Sequence, residues 1–296
     1  MPHLITKSLF VDYKTFPKLG WWRWNDLGAY RKIKKLETEE QSEQIIELGK
    51  TVENLVGQYL AIQTETTATN LFPDIPETDE EREDDDDTWV DLSFQERIER
   101  NLAETEKSIK WGNEFIYQPG FLLGDCYVRA DYMVRNPSGL YDLYEVKAKS
   151  HIRKEVTNDG TKENIGEVEK CFIHDVSFQK YVIDEKFVSW GLPPLGKVFV
   201  AHLNADYVRH GAISIRDIVK IEEVGSFSQI TVIQGGSRAK EKVLDIDDTF
   251  LPATVVKETV ALIRSECLLS EQDFNAIHLF TGSKYLEYFG KDKPTG

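Results

Sequence analysis

The sequence has few cysteines and no long apolar run. Three cysteines occur among 296 residues, and no two of them form a CxxC pair. Such a sparse, odd set favours a reducing compartment over a disulfide framework, so we expect a cytoplasmic protein. No stretch approaches the roughly 18 apolar residues that a membrane helix requires. The N-terminal residues also lack the apolar segment of a signal peptide, and we expect no membrane association.

The chain lacks a net positive charge as well. Its net charge of −15 is unusual for a protein that binds nucleic acid, but the charge is uneven, because the segment from Asp74 to Asp91 holds eleven acidic residues and one arginine. Whole-chain charge is therefore a poor guide to the charge near any one site. The composition of 64–91 predicts a flexible insertion. A solvated linker is one interpretation of it, and a mimic of DNA charge over a basic groove is another.

Aromatic and basic residues are concentrated in the first 36 positions. One interpretation is a hydrophobic N-terminal lobe with a solvated basic rim. The other is a wall that contacts nucleic acid, where aromatic rings stack on bases and cations meet phosphates. The aromatic residues are Phe10, Tyr13, Phe16, Trp21, Trp22 and Trp24.

A helix is predicted over 39–62, where apolar residues recur at three- and four-residue steps. Glu53 flanks the apolar stripe, and the residues four positions before and after it are Gly49 and Gly57. Each glycine weakens the helix by about 1 kcal/mol relative to alanine. Both leave the surface around Glu53 open to close approach. Glu53 is therefore a candidate site residue, with a solvated carboxylate as the alternative.

The segment 113–149 is rich in β-forming residues and predicts three consecutive strands. Turn residues separate the three pieces, which cover 114–121, 124–134 and 140–150. Helices and further strands flank this segment, so the order predicts an α/β fold with a core of helix, three strands, helix and strand. The flanking elements are a helix over 93–110, a helix from about Gly166 to Val188, a strand over 197–203, mixed strands and turns over 206–246, and an amphipathic helix over 252–267.

The last two of these three strands form a hairpin whose loop length can be predicted. A two-residue loop would put Pro137 where the favoured hairpin turns need positive φ, which proline forbids. A five-residue loop over 136–140 avoids this conflict and pairs Arg135 with Tyr141. The hairpin register follows from that pair.

This register brings two acids and a lysine together. It places Asp131 directly opposite Glu145, and Lys147 shares a strand face with Glu145 because side chains two positions apart point the same way. Converging carboxylates repel each other, and a hard divalent cation such as Mg²⁺ resolves the repulsion. A cation there polarises a phosphodiester and activates water, while a lysine stabilises charge on the phosphate. The alternative is an ion pair on an exposed strand face.

Gln179 lies in line with an apolar stripe on the helix that is predicted to begin near Gly166. Phe172, Val176 and Ile183 surround it at helical spacing. A buried amide needs hydrogen-bond partners. Lys147 or a metal-bound water is one predicted partner, and the protein backbone is the alternative.

The polar loop after the third strand is a candidate phosphate contact. It contains Lys149, Arg153 and Lys154, with His151 between them. These cations are placed to neutralise backbone phosphates beside the site. A solvated loop without a ligand is the alternative.

Several of these segments resemble RecB-like nucleases of the PD-(D/E)xK superfamily. They are RADYMV, LYEVKAKS, HDVSFQKYVI and VFVAHLNADYVRHG, and the N-terminal LITKSLFVDYKTFPKLGWW and the helix LGKTVENLV resemble one bacterial subfamily. The resemblance spans roughly residues 4–223. It implies a restriction-endonuclease-like core around a mixed central sheet, with N-terminal and C-terminal additions. The corresponding domains are an aromatic and basic lobe over 1–38, a nuclease core over 39–205 and an extension over 206–296.

The resemblance also implies roles for individual residues. Asp131 and Glu145 match the two metal-binding acids of the family, Lys147 matches its catalytic lysine, and Gln179 matches a glutamine on its second helix. Glu53 matches an acidic or histidine position on the family's first helix that often completes the metal shell, and the Val146 carbonyl is expected as a further ligand. Tyr181 departs from the family pattern, in which a tyrosine follows the glutamine by four residues.

The expected cofactor is Mg²⁺ or Mn²⁺, and the expected partner is DNA, single-stranded or with free ends. No iron–sulfur cluster is expected, because Phe16 stands where relatives carry a cysteine and four thiolates are required. Two alternatives stay open. One is an RNA-cleaving version of the enzyme, and the other is a non-catalytic nucleic-acid-binding or partner-binding module on the same fold.

Overall fold

A computed structural model of the chain describes residues 4–34, 39–72, 92–153, 168–204, 214–225, 227–233 and 241–278. These residues form a mixed α/β architecture. No helix in the described ranges combines the length and apolarity needed to cross a membrane. The helices are α1 (Lys7–Thr15), α2 (Pro17–Asn25), α3 (Leu27–Ile33), α4 (Glu39–Thr64), α5 (Phe94–Trp111), α6 (Lys170–Ser189), α7 (Ile215–Ile218), α8 (Ala253–Glu266) and α9 (Glu271–Ile277). The strands are β1 (Ile5–Thr6), β2 (Thr69–Asn70), β3 (Phe115–Tyr117), β4 (Gly120–Leu123), β5 (Cys126–Arg129), β6 (Tyr132–Arg135), β7 (Tyr141–Lys147), β8 (Val198–Leu203), β9 (Val219–Val224), β10 (Phe227–Ile233) and β11 (Glu241–Asp247).

The central sheet has six strands in the order β2-β3-β6-β7-β8-β9. β6 and β7 form an antiparallel hairpin, and the predicted pairing of Arg135 with Tyr141 is confirmed. β7 and β8 are parallel, and the chain between them passes through α6. A parallel neighbour requires such a crossover connection. α6 is thereby placed where its residues reach the end of β7.

The two faces of the sheet pack against different helices. Leu143 and Val200 belong to a buried cluster with residues of α6, whereas Val146 and Ala201 belong to a second cluster with residues of α4. Side chains of adjacent strand residues point to opposite faces, which explains this division. We call these sides the α6 face and the α4 face.

The predicted three strands over 113–149 are five strands in the structure. The first predicted strand breaks at Gln118, whose φ of 52° lies in the left-handed region, and Pro119 follows it. The second breaks at Ala130 and Asp131. β4 and β5 consequently leave the central sheet and form a separate sheet with β1, in the order β1-β5-β4. A period-two pattern could not reveal this division, because both sheets bury alternate residues.

Several helix boundaries agree with prediction. The helices expected over 39–62, 93–110 and 252–267 correspond to α4, α5 and α8. The Ser93 side chain and the Glu96 carboxylate form a reciprocal capping box that starts α5. The helix expected from Gly166 is described from Lys170, and residues 154–167 lie outside the described ranges.

The N-terminal segment is part of the folded core. β1 pairs with β5 in parallel, and α1 packs against α6, with the Phe10 and Phe178 rings stacked at 4.9 Å between centroids. Tyr13, Phe16 and Trp21 are also buried. These four aromatic side chains therefore fill the interior, whereas Trp22 and Trp24 are partly buried.

The first residues of the segment 64–91, which was predicted to be a flexible insertion, are packed against the fold. β2 pairs with β3, and Leu71 and Phe72 are buried. The acidic run from Asp74 to Asp91 lies outside the described residues.

In the C-terminal part of the chain, β9 pairs with β8, and α8 packs against α1 and α6.

Candidate active site where two strands separate

The candidate site lies where β6 and β7 separate. Their ladder ends at the pair Tyr132–Tyr144, so its register keeps Asp131 level with Glu145, although Asp131 precedes the strand. Asp131 takes the place of a backbone acceptor, because its Oδ2 atom accepts a hydrogen bond of 2.6 Å from the Val146 N–H. The contact found at Val146 thus involves its N–H, whereas the sequence expectation concerned its carbonyl.

Glu145 is 1% exposed and lies at the centre of the site. Its Oε1 atom accepts hydrogen bonds from Lys7 Nζ at 2.7 Å and from Lys147 Nζ at 2.6 Å. Its Oε2 atom accepts one from Gln179 Nε2 at 2.8 Å. Burial alone would raise the pKa of Glu145, but the charges of Lys147 and Lys7 outweigh it and hold the pKa well below its usual value. Glu145 is therefore ionised at neutral pH.

Lys147 is held between two acids from different elements. Its Nζ atom donates to Glu145 and also to Asp175 Oδ2 of α6, at 2.6 Å. Burial by itself would lower the pKa of Lys147, and the negative charges of Asp175 and Glu145 raise it above its ordinary value. Charge-assisted hydrogen bonds of this kind are short and strong. The result is a cation in a defined position at the end of β7.

Gln179 joins the two acids that hold Lys147. It is fully buried, and its Nε2 atom donates to Glu145 Oε2 at 2.8 Å and to Asp175 Oδ1 at 2.9 Å. Within the described ranges, neither the predicted bond to Lys147 nor the alternative bond to backbone is found. Its Oε1 atom has no hydrogen-bond partner among the described residues. An unpaired buried acceptor costs about 1–3 kcal/mol.

Glu53 approaches from the α4 face. Its Oε2 atom accepts a hydrogen bond from the Tyr117 hydroxyl at 2.9 Å, and the Tyr132 hydroxyl donates to its backbone carbonyl at 3.0 Å. The predicted close approach occurs at Gly57, where a Cβ atom would lie 2.5 Å from the Tyr132 hydroxyl oxygen. Gly49, by contrast, faces open space.

Asp131 links the two faces electrostatically. Burial and the negative charges of Glu145 and Glu53 raise the pKa of Asp131 to about 8, against the opposing effect of Lys7. Burial and the neighbouring acids thus disfavour the ionised form of Asp131, and a nearby cation would favour it. The three carboxylates are hard oxygen donors, which is the chemistry that Mg²⁺ or Mn²⁺ requires.

The donor set fits a divalent cation in kind, although the side chains are turned towards other partners. No group of three His, Cys, Asp or Glu side chains among the described residues is arranged to hold a metal ion. Glu145 faces Lys7 and Lys147, and Glu53 faces Tyr117 from the other side of the sheet. Rotation of these carboxylates is therefore needed before they share one ion.

The loop cations have different environments. Lys149 is about half exposed, with Glu169 3.8 Å away, whereas Lys154 lies outside the described residues. Arg153 donates to Glu222 and to Asp248, which are internal acids. The structure thus gives Arg153 a role in holding β9 and the chain before α8, which differs from the predicted phosphate contact.

Two residues of the site were missed by sequence reasoning. Asp175 precedes Gln179 by one helical turn, so its place on the same face of α6 could have been predicted. Lys7 is 138 positions from Glu145, and no local pattern indicates that the two meet. Their contact depends on the packing of α1 against α6 and on the β1–β5 pairing.

Comparisons with known proteins do not assign the chain to a family. No family model matches it, and no curated protein matches it. Among solved structures, the crystal structure of SSO0001 matches with 12% sequence identity over 65% of this chain and 72% of that chain, at a TM-score of 0.20. A TM-score this low carries no argument about fold or function.

Proposed function

We propose that the protein is a Mg²⁺- or Mn²⁺-dependent nuclease of the RecB-like PD-(D/E)xK type that hydrolyses DNA phosphodiester bonds. The observation that carries the proposal is the meeting of Asp131, Glu145 and Lys147 where β6 and β7 separate. The element order supports it, because β3, β6 and β7 lie side by side and α6 then leads to the parallel strand β8. This is the order expected of a restriction-endonuclease-like core.

The residues have distinct roles in this proposal. A bound divalent cation supplies positive charge against the phosphate and acidifies a water molecule. Asp131 and Glu145 are the residues that would hold it, with Glu53 from the α4 face. The Lys147 ammonium stabilises charge that develops on a phosphate oxygen and orients the attacking water.

Other residues assist from the periphery of the site. Asp175 and Gln179 act through Lys147 and Glu145, so they are positioning residues. Lys149, which is half exposed and adjoins β7, is assigned a contact with a neighbouring phosphate of DNA, single-stranded or with a free end.

The test is cleavage of end-labelled single-stranded DNA, duplex DNA and closed circles in Mg²⁺, Mn²⁺ or EDTA. We expect metal-dependent cleavage by the parent and a loss of at least about 100-fold in Lys147→Met, as for other stabilisers of transition-state charge. Lys257→Met, an exposed lysine on α8, is the matched control and should cleave like the parent. Matched RNA substrates separate an RNA-cleaving enzyme from a deoxyribonuclease. If Lys147→Met is folded and cleaves at the parent rate, the proposed mechanism is wrong.

One observation favours a second function, that of a non-catalytic nucleic-acid-binding or partner-binding module. Lys7 and Lys147 are both neutralised by acids, and no three ligands are gathered around one point in the described part of the chain. A structural ion network has the same appearance. This function predicts no cleavage of any substrate and DNA or partner binding that EDTA leaves unchanged.

A further inference from the structure

Lys7 brings a second ammonium group to the buried acid of the site. It is the first residue of α1, and its Nζ atom lies 2.7 Å from Glu145 Oε1. Its side chain is 26% exposed. This oxygen of Glu145 thus accepts hydrogen bonds from two ammonium groups, those of Lys7 and Lys147.

The position of Lys7 is unfavourable apart from this contact. The N-terminus of a helix carries partial positive charge, which repels a lysine in the first turn. α1 has no acidic residue in that turn to offset the repulsion. Burial also penalises an ammonium group. The charges of Glu145, Asp131 and Asp175 are therefore what hold Lys7 in place.

The two lysines on Glu145 differ in how firmly they are held. Lys147 has a second ion pair, with Asp175 at 2.6 Å. Among the described residues, Lys7 has its one ion pair with Glu145. It is the cation that can leave Glu145 at the lower cost.

We propose that Lys7 and the divalent cation compete for Glu145, so that Lys7 sets the metal affinity of the site. The inference rests on the proposed metal-dependent function. Without metal, the Lys7 ammonium offsets the charge of Glu145 and so stabilises the folded protein. Metal binding at the same oxygen requires this ammonium to move away, and the free energy of breaking its ion pair is subtracted from that of metal binding.

The test is direct measurement of Mn²⁺ binding to the full chain by titration calorimetry. Lys7→Met is expected to bind Mn²⁺ at least about tenfold more tightly than the parent, which corresponds to about 1.4 kcal/mol. Lys14→Met is the matched control, because Lys14 lies two turns further along α1 and loses the same charge. It should stay within about twofold of the parent.

Thermal unfolding provides a second readout. Without metal, Lys7→Met should melt at a lower temperature than the parent, since Glu145 loses a partner. Saturating Mn²⁺ should raise its melting temperature by more than it raises that of the parent. If Lys7→Met does not fold, Lys7→Gln keeps a hydrogen-bond donor without the charge and should also bind Mn²⁺ more tightly.

The outcomes separate this inference from the proposed function. A purely structural role of Lys7 predicts that its removal weakens Mn²⁺ binding or leaves it unchanged. Either result would overturn the competition, and the nuclease would survive if the parent still binds Mn²⁺ and cleaves DNA. Absence of Mn²⁺ binding in the parent and in every variant would overturn both.

Discussion

Asp175 is the residue whose replacement tests most directly how the site is held together. It is 8% exposed, and it accepts hydrogen bonds from Lys147 at 2.6 Å and from Gln179 at 2.9 Å. Asp175→Asn keeps the shape of the side chain and removes its charge. A hydrogen bond to a charged group contributes about 1.5–3 kcal/mol. Because the asparagine oxygen can still accept one bond, we expect a loss of about 1–2 kcal/mol in the free energy of unfolding.

The effect on cleavage should be larger than the effect on stability. Lys147 retains Glu145 as a partner but loses the ion pair that orients it from α6. A displacement of about 1 Å at a reacting group lowers the rate by about 100-fold, so we expect kcat to fall about 10–100-fold. KM should change little, since Asp175 lies behind Lys147.

The two quantities are measured by urea unfolding and by metal-dependent DNA cleavage on the same preparations. Glu185→Gln is the matched control, because Glu185 is exposed on the same helix and loses the same charge. It should match the parent in both assays. If Asp175→Asn matched the parent in both stability and kcat, the role given to Asp175 would be refuted.

Two further predictions concern α4 and the acid network of β9. Gly57→Ala should lower the free energy of unfolding, measured in urea, by about 1–3 kcal/mol, because its Cβ would lie 2.5 Å from the Tyr132 hydroxyl oxygen. Gly49 faces open space, so Gly49→Ala should raise the free energy of unfolding by up to about 1 kcal/mol. Equal effects of the two substitutions would contradict the close packing at Gly57. Burial alone would raise the pKa of Glu222, but hydrogen bonds from His202 and Arg153 lower it to about 2 from 4.5. The stabilisation, on the order of 3 kcal/mol, is present above pH 4.5 and is lost as the pH falls from 4.5 through 2. Urea unfolding across this range should show a smaller loss in Glu222→Gln than in the parent, and identical slopes would contradict the assignment.

Local chemistry was enough to predict the frame of the site. Pro137 excludes a two-residue turn, and the resulting five-residue loop placed Arg135 opposite Tyr141, as observed. Once that register is known, Asp131 and Glu145 are level with each other. Helices α4 and α8 were predicted because the period of their apolar residues is a local property of the chain.

Long-range packing determined how the charges of the site are used. Lys7 reaches Glu145 across 138 positions, and Arg153 reaches Glu222 across 69. Sequence patterns describe which face of an element is apolar, but they do not say which elements meet. The predicted loop cation Arg153 therefore became part of an internal ion network, and Lys7 entered the site without any local signal.

The same distinction explains the placement of the acids. The sequence puts Glu53 on a helix and Glu145 on a strand, each beside small or charged neighbours. Only the packing shows that they approach the end of the sheet from opposite faces and that both raise the pKa of Asp131. The ionisation of Asp131 depends on charges that the fold brings close, because electrostatic interaction varies with distance and burial. Residue types thus determine which chemistry is available to the site, and tertiary contacts determine the charge state of each ionisable group within it.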